Sequence, residues 1–223
     1  MEVKNNLKGV KDTLIGSQCQ LIAVSKTQPL ELIQEAYNAG QRLFGENKAQ
    51  EMASKHAALP KDIQWHMIGH LQTNKVKYIA TFVDLIHSID SIKLLTEVDK
   101  QAKKANRKIN CLLQIYIAHE ETKFGFDPAE VIELLNSNAL SEFSNVEIIG
   151  LMGMASFTED QQQIKREFNV LNSLFTQLKK LSLPANVHMK ELSMGMSSDY
   201  KIAMEAGSTL VRVGTSIFGA RNY

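Results

Sequence analysis

Lys26 is the residue best placed for covalent chemistry. It closes the first apolar run of the chain, residues 21–25, just before a helical pattern that begins near Pro29. A lysine at the tip of a buried strand is partly removed from water, which favours its neutral, nucleophilic amine. Such an amine reacts with a carbonyl carbon to form a Schiff base. The alternative is a surface lysine whose stem covers apolar groups and whose ammonium stays in water.

Two segments late in the chain contain the residue types that bind a phosphate. One contains Ser193 and Ser197, and the other contains Gly214 and Thr215. Small residues let the backbone approach an anion, while hydroxyls and the N–H groups at a helix start donate hydrogen bonds to it. The alternative is that these glycines and serines only form turns.

Arg212 lies within the apolar run that precedes Gly214. A guanidinium inside a fold needs an anionic or hydrogen-bond-accepting partner. A structural ion pair is one such partner. A heteroaromatic nitrogen is another, because arginine donates a hydrogen bond to it and disfavours its protonation. In the second case the bound cofactor would be a weaker electron sink.

Alternating strand and helix patterns run through the whole chain and would position these side chains. Short connections and right-handed crossovers imply parallel strands, and eight of them can close into an α/β fold of the TIM-type (β/α)8 barrel class. The residues before the first strand, 3–15, predict an extra N-terminal helix with an apolar face. A doubly wound open sheet is the competing architecture. The predicted strands are residues 21–26, 42–46, 63–68, 84–89, 109–117, 146–152, 188–192 and 209–213.

A barrel of this kind carries its function at the carboxyl ends of its strands. Lys26 ends the first predicted strand, Asn47 follows the second, and Arg212 lies near the end of the eighth. Although they are distant in sequence, a barrel would bring them around one mouth. The pattern therefore predicts a pocket of cofactor size that contains a nucleophilic amine.

Length, charge and cysteine content restrict the remaining possibilities. The chain has 223 residues, which predicts one domain over residues 1–223. Its 25 basic and 24 acidic residues give a net charge of +1, which argues against nucleic acid or an anionic membrane as a partner and favours a small ligand. Cys19 and Cys111 form no disulfide or zinc pattern, which is typical of a reducing compartment, so we expect the protein in the cytoplasm. We also expect it to be a monomer.

No metal site is predicted. The histidines that could suggest one are not arranged in a compact ligand motif, so satisfied or exposed imidazoles are expected instead. The sequence also has no targeting segment at its start and no apolar stretch of about eighteen residues that would span a bilayer. The histidines concerned are His66, His70, His87, His119 and His188.

Six motifs, in the same order, resemble those of the pyridoxal-phosphate-binding homeostasis proteins over nearly the full length of the chain. That family is similar to the N-terminal barrel domain of alanine racemase. It is described as a carrier and regulator of the cofactor that affects vitamin B6 and amino-acid balance, without an established enzymatic activity. The motifs are Ala23-Val24-Ser25-Lys26-Thr27, Phe44-Gly45-Glu46-Asn47, residues 65–75 (WHMIGHLQTNK), Gly150-Leu151-Met152, residues 192–197 (LSMGMS) and residues 212–219 (RVGTSIFG).

The resemblance implies a role for each candidate residue. Lys26 would hold pyridoxal 5'-phosphate as a Schiff base, Arg212 would face its pyridine nitrogen, and Asn47 would lie near the ring. The phosphate would be faced by Ser193, Ser197, Gly214 and Thr215.

The racemases carry a second, β-rich domain that contributes a catalytic tyrosine from the partner subunit. Beyond the eighth strand and its phosphate segment only residues 217–223 remain, so no catalytic residue is expected and the mouth should be more open. An accessible Schiff base could pass the cofactor to apo-enzymes in transient complexes. The alternatives are a weak pyridoxal-phosphate-dependent amino-acid enzyme, such as a racemase, and a barrel whose lysine forms a Schiff base with a sugar phosphate without a cofactor.

Overall fold

A computed structural model of the chain describes residues 2–118, 124–137 and 139–219. Within these residues, eight parallel strands form a closed barrel in which β8 hydrogen-bonds to β1. This closure excludes the open sheet and confirms the TIM-type barrel. The strands are β1 (Gln20–Val24), β2 (Leu43–Glu46), β3 (Gln64–Met67), β4 (Leu85–Ile89), β5 (Ile109–Ile115), β6 (Val146–Gly153), β7 (Val187–Met196) and β8 (Leu210–Val213).

Helices surround the barrel, and the predicted extra helix is present at its N-terminus. Polar N-caps start three of them, where side chains of Ser91, Asp127 and Asp160 accept backbone N–H groups of the first turn. The described α-helices are α1 (Glu2–Leu14), α2 (Leu30–Asn38), α3 (Ala49–Ala58), α4 (Ile92–Lys104), α5 (Pro128–Asn136), α6 (Gln161–Leu178), α7 (Tyr200–Glu205) and α8 (Thr215–Phe218), with 3-10 helices at Thr73–Tyr78 and Ala139–Glu142.

Helix α1 packs against α2 and α8. It buries one apolar stripe, as the sequence predicted, and exposes its polar side. The packing brings the first helix of the chain against the short α8, which begins at the mouth of the barrel. The buried residues are Val3, Leu7, Val10 and Leu14.

Two elements differ most from the sequence-based prediction, while the other strand ends shift by at most two residues. The segment after β3 is a 3-10 helix over Thr73–Tyr78 rather than an α-helix, a geometry typical of short connectors. Strand β7 extends to Met196, four residues beyond its predicted end at Leu192. The Gly195 that suggested a loop instead adopts φ +93° inside the strand, where the register against β8 is irregular. Ser193 therefore lies within a strand and not in a loop.

The interior of the barrel is layered. Apolar side chains from β1, β4, β5, β6 and β8 form a separate buried cluster that fills one part of it. A polar layer that includes Arg212 lies closer to the carboxyl ends of the strands, because Arg212 follows Leu210 by two residues on the same face of β8. The cluster consists of Ile22, Leu85, Leu112, Met152 and Leu210.

In the described residues, no helix is both long and apolar enough to cross a membrane.

Candidate functional site

A cavity of about 240 Å³ opens at the carboxyl ends of the strands, where the sequence predicted a site. It brings together six of the seven predicted cofactor residues; Ser193 does not line it. The lining also includes residues that sequence reasoning did not single out, most of them apolar. The complete lining is Val24, Lys26, Gln28, Asn47, Ile68, Met154, Met196, Ser197, Arg212, Gly214, Thr215 and Gly219.

Lys26 is half-buried and lies in a tight turn just after β1. The backbone N–H of Gln28 donates to the carbonyl oxygen of Ser25 at 3.0 Å, which closes a four-residue turn with Lys26 at its second position. Thr27, at the third position, has φ +62°. That conformation suits glycine and costs a β-branched residue about 1–3 kcal/mol, so the surroundings must hold the turn in place.

Asn47 follows β2 and stands beside Lys26 in the cavity lining. The end of β3 comes very close to it, because a Cβ added at Gly69 would lie 2.7 Å from the Asn47 Cα atom. Glycine at position 69 therefore allows the two strand ends to approach. This packing explains why Gly69 occurs in the motif after β3, and it fixes Asn47 at the rim of the cavity.

The predicted phosphate residues meet at the ends of β7 and β8. The N–H group of Gly214 donates to the Ser197 hydroxyl oxygen at 3.2 Å, and Thr215 begins α8, where the first N–H groups have no acceptor within the helix. A Cβ at Gly214 would lie 3.0 Å from the Val24 carbonyl oxygen, so a small residue is needed there. Hydroxyls and backbone donors thus converge on one side of the cavity.

Arg212 forms part of the cavity floor and is almost fully buried. Its Nη1 donates to the Ser193 hydroxyl oxygen at 2.6 Å and its Nη2 to the Gly153 carbonyl oxygen at 3.1 Å. Burial lowers the pKa of Arg212 to about 10, opposed by Asp199, so it remains protonated at neutral pH. No carboxylate in the described residues forms a salt bridge with it, which leaves donors directed at the cavity.

Beneath Arg212 runs a buried hydrogen-bond chain that the sequence did not predict. Because the Ser193 hydroxyl oxygen accepts from Arg212, its proton can be donated to His87 Nδ1, 2.9 Å away. His87 then carries its proton on Nε2 and donates it to His66 Nδ1 at 3.0 Å. Ser193 therefore orients Arg212 from below, and its predicted direct contact with a phosphate stays a prediction that this placement does not favour.

The surroundings keep the imidazoles of His66 and His87, the two in this hydrogen-bond chain, neutral. Burial lowers the pKa of His66 to about 4, and burial, His66 and Arg212 hold the pKa of His87 well below its usual value. Their inward positions on neighbouring strands β3 and β4 were the available signal, since alternate residues of a barrel strand face the interior. That signal places both side chains inside the barrel but does not show that they contact each other.

We expect the pH dependence of stability to report this arrangement. Between pH 6.5 and about 4 the unfolded chain binds a proton at His66 that the folded chain excludes, so the free energy of unfolding falls as the pH is lowered through that window. His66 alone would contribute up to about 3 kcal/mol. Urea unfolding of the wild type and His66→Gln between pH 7 and pH 4 measures it. An equally steep decline in both proteins would contradict the assignment.

The donor set fits pyridoxal 5'-phosphate. A lysine amine, hydroxyl and backbone donors next to α8, and a buried cation with unused N–H groups line one cavity of suitable type. These groups match an aldehyde, a phosphate and a ring nitrogen. In the described residues no three His, Cys, Asp or Glu side chains are grouped to hold a metal; His119 lies outside those residues.

Comparison with known proteins points in the same direction. The sequence matches the family described as alanine racemase, N-terminal domain, over residues 1–222. It is 41% identical over 210 residues to the pyridoxal phosphate homeostasis protein of Aquifex aeolicus, a match that covers 93% of this chain and 90% of that protein.

Two solved structures have a similar fold. PipY of Synechococcus elongatus, solved with pyridoxal phosphate bound, is 37% identical, and the match covers 97% of this chain and all of that chain with a TM-score of 0.86. Alanine racemase of Streptomyces lavendulae is 16% identical with a TM-score of 0.76, and this chain covers 58% of it. The racemase match concerns the fold alone.

Proposed function

The chain belongs to the alanine racemase N-terminal domain family and, within it, to the pyridoxal phosphate homeostasis proteins, and we propose that it holds the cofactor reversibly on Lys26. It is a pyridoxal 5'-phosphate-binding protein of intracellular vitamin B6 homeostasis, as the six motifs predicted. Lys26 attaches the cofactor as a Schiff base. Asn47, Ser197, Arg212, Gly214 and Thr215 provide reversible, non-covalent binding around it. Ser193 contributes from beneath, where it orients Arg212.

One observation carries the proposal: Lys26, Arg212 and the donors around Thr215 converge on a single cavity. When bound, the cofactor supplies an electrophilic aldehyde carbon. The Lys26 amine adds to that carbon and a carbon–nitrogen double bond replaces the carbonyl as water leaves. Ser197, Gly214 and Thr215 retain the phosphate, and Arg212 donates to the ring nitrogen and disfavours its protonation.

Holding the cofactor, rather than catalysing turnover, is part of the proposal. A racemase needs a second proton carrier on the face opposite the lysine. Among the cavity residues that the structure describes, Lys26 and Arg212 are the titratable ones, and the high pKa of Arg212 makes it a poor proton carrier at neutral pH. The match to the alanine racemase N-terminal domain family keeps weak amino-acid chemistry as the second candidate.

Release completes the proposed role. We propose that residues 1–223 act as one cofactor-binding domain, as a monomer in the cytoplasm, and that transient contact with apo-enzymes lets another amine replace Lys26. Both cysteines in the described chain are buried and unbridged, which supports a reducing location. Exchange is reversible because the cofactor is held by one hydrolysable double bond and by hydrogen bonds.

The direct test is to trap the bond. We expect purified protein with added cofactor to show Schiff-base absorbance, and reduction with borohydride to fix the label on a peptide that contains Lys26. Peptide mapping by mass spectrometry identifies the residue. A label on another lysine, or none, would refute the attachment; faster delivery to an apo-enzyme than from free cofactor at the released concentration would support the carrier role.

A further inference from the structure

The turn that carries Lys26 is held by a charged cluster on the outside of the barrel. Its members are Ser25, Glu46, Glu51 and Lys55, which we call the turn clamp. The Lys55 ammonium, on α3, donates to the Ser25 carbonyl oxygen at 2.7 Å, to Glu46 Oε1 at 2.8 Å and to Glu51 Oε1 at 2.7 Å. An ammonium has three N–H donors, and here each has an acceptor.

The same carboxylates bind the turn on both sides of the reactive residue. Glu46 Oε1 accepts from the Ser25 hydroxyl at 2.6 Å, and Glu51 Oε1 accepts from the backbone N–H of Thr27 at 2.6 Å. The residue before Lys26 and the residue after it are therefore both tied to the clamp. Lys26 itself lines the cavity, while the Ser25 hydroxyl donates to Glu46 and the Ser25 carbonyl accepts from Lys55 on α3.

Lys55 and Glu46, at the centre of the clamp, are buried, which strengthens their contacts. The Lys55 side chain is 6% exposed and that of Glu46 is fully buried. Burial raises the pKa of Glu46, and its bonds to Lys55 and Ser25 oppose the shift. A buried charge pair of this kind adds little net stability to a fold, since desolvation offsets much of the attraction, but it fixes geometry and is costly to break.

The clamp holds the backbone of Thr27 in a conformation that is unfavourable for threonine. Thr27 has φ +62°, at the turn position where glycine is normally required. Without the bond from its N–H to Glu51 and the bond from Lys55 to the Ser25 carbonyl, this turn would relax towards an ordinary conformation. The Lys26 side chain would then leave its alignment with Asn47 and Arg212 in the cavity.

We propose that Lys55, acting with Glu51, is a positioning residue that holds the Lys26 amine in the orientation required to form the Schiff base. This inference rests on the proposed attachment of the cofactor at Lys26. Neither Lys55 nor Glu51 lines the cofactor cavity, so the effect passes through the backbone of the turn. Covalent bond formation should depend on the clamp, while binding of the phosphate and ring should not.

The test separates these two quantities in Lys55→Met and Glu51→Ala. Stopped-flow absorbance measures the rate of Schiff-base formation with pyridoxal phosphate, and calorimetry measures the affinity for pyridoxine 5'-phosphate, which has an alcohol in place of the aldehyde. We expect the rate to fall at least about tenfold in both variants because the amine is misplaced. The affinity for the alcohol should stay within about twofold, since its interactions with the cavity are unchanged.

A second substitution makes the test specific. Thr27→Gly removes the strain of the turn, so adding it to Glu51→Ala should restore most of the lost rate. Lys100→Met, which breaks an exposed ion pair with Glu97, is the matched control and should behave as the wild type. Glu51 is partly exposed, so Glu51→Ala preserves the test if Lys55→Met fails to fold.

The outcomes distinguish this inference from the proposed function. Unchanged rates in the variants, an equal loss of affinity for the alcohol, or no rescue by Thr27→Gly would each overturn the positioning role. A wild type that forms no Schiff base at Lys26 would instead refute the attachment itself. Reduced rates with unchanged affinity for the alcohol and rescue by glycine would support the inference.

Discussion

Replacing Lys26 with alanine is expected to abolish covalent attachment of the cofactor and leave the fold intact. The side chain is half-buried, and the hydrogen bonds of its turn come from Ser25, Thr27 and Gln28. The free energy of unfolding should therefore change by less than about 1 kcal/mol. Absorbance of the purified variant and borohydride trapping measure the attachment, and urea unfolding measures the stability.

Weak reversible binding should remain in Lys26→Ala, because the donors around Ser197 and Thr215 are untouched. Lys201→Ala is a matched control on the exposed side of α7 and should retain the Schiff base. The same pair decides between the two functions. Racemisation of an amino-acid panel by the wild type that disappears in Lys26→Ala would show an enzyme and contradict the holding role.

The positions of Lys26, Asn47 and Arg212 could be predicted from sequence because two simple rules apply. Apolar runs identify the strands, and a parallel barrel gathers the carboxyl ends of its strands at one mouth. Each of these residues lies at or just beyond a strand end, so an error of one or two residues in a boundary does not remove it from the mouth. The cavity lining contains all three.

Ser193 shows the limit of that reasoning. Its motif reads as a loop, yet the strand continues to Met196 because Gly195 accommodates an irregular register against β8. Which way Ser193 points depends on the register of β7, and a shift of one residue reverses the face. The sequence pattern cannot locate the irregularity, so it gave no sign that the Ser193 hydroxyl would contact Arg212 and His87. Its predicted contact with the phosphate stays a prediction.

The turn clamp could not be predicted from the sequence for a different reason. Lys55 looks like an ordinary basic residue near the end of a helix, four residues after Glu51, a spacing typical of an exposed ion pair. Only packing of α3 against β2 and β3 buries it and brings Ser25 and Glu46 to its ammonium. Such contacts join residues distant in sequence, and local pattern carries no information about them.

Arg212→Met should produce the second large effect, a loss of cofactor affinity together with a change in the ring's protonation. A hydrogen bond from a charged donor contributes about 1.5–3 kcal/mol, so its loss should raise the dissociation constant roughly tenfold to hundredfold. With the guanidinium gone, the pyridine nitrogen can accept a proton, so the absorbance of the bound cofactor should acquire a pH dependence that the wild type lacks. Calorimetry and spectrophotometric titration measure these two effects.

A second consequence appears below the cavity. Burial, His66 and Arg212 all lower the pKa of His87, so removal of Arg212 should raise that pKa. In an NMR titration, the imidazole resonances of His87 should then shift at a higher pH than in the wild type. Arg166→Met, which removes an exposed ion pair, is the matched control and should change none of these quantities. If Arg212→Met binds the cofactor as tightly as the wild type, the ring nitrogen does not face Arg212. In that case the guanidinium serves only to anchor Ser193 and the carbonyl of Gly153, and the affinity must come from Lys26 and the phosphate donors alone.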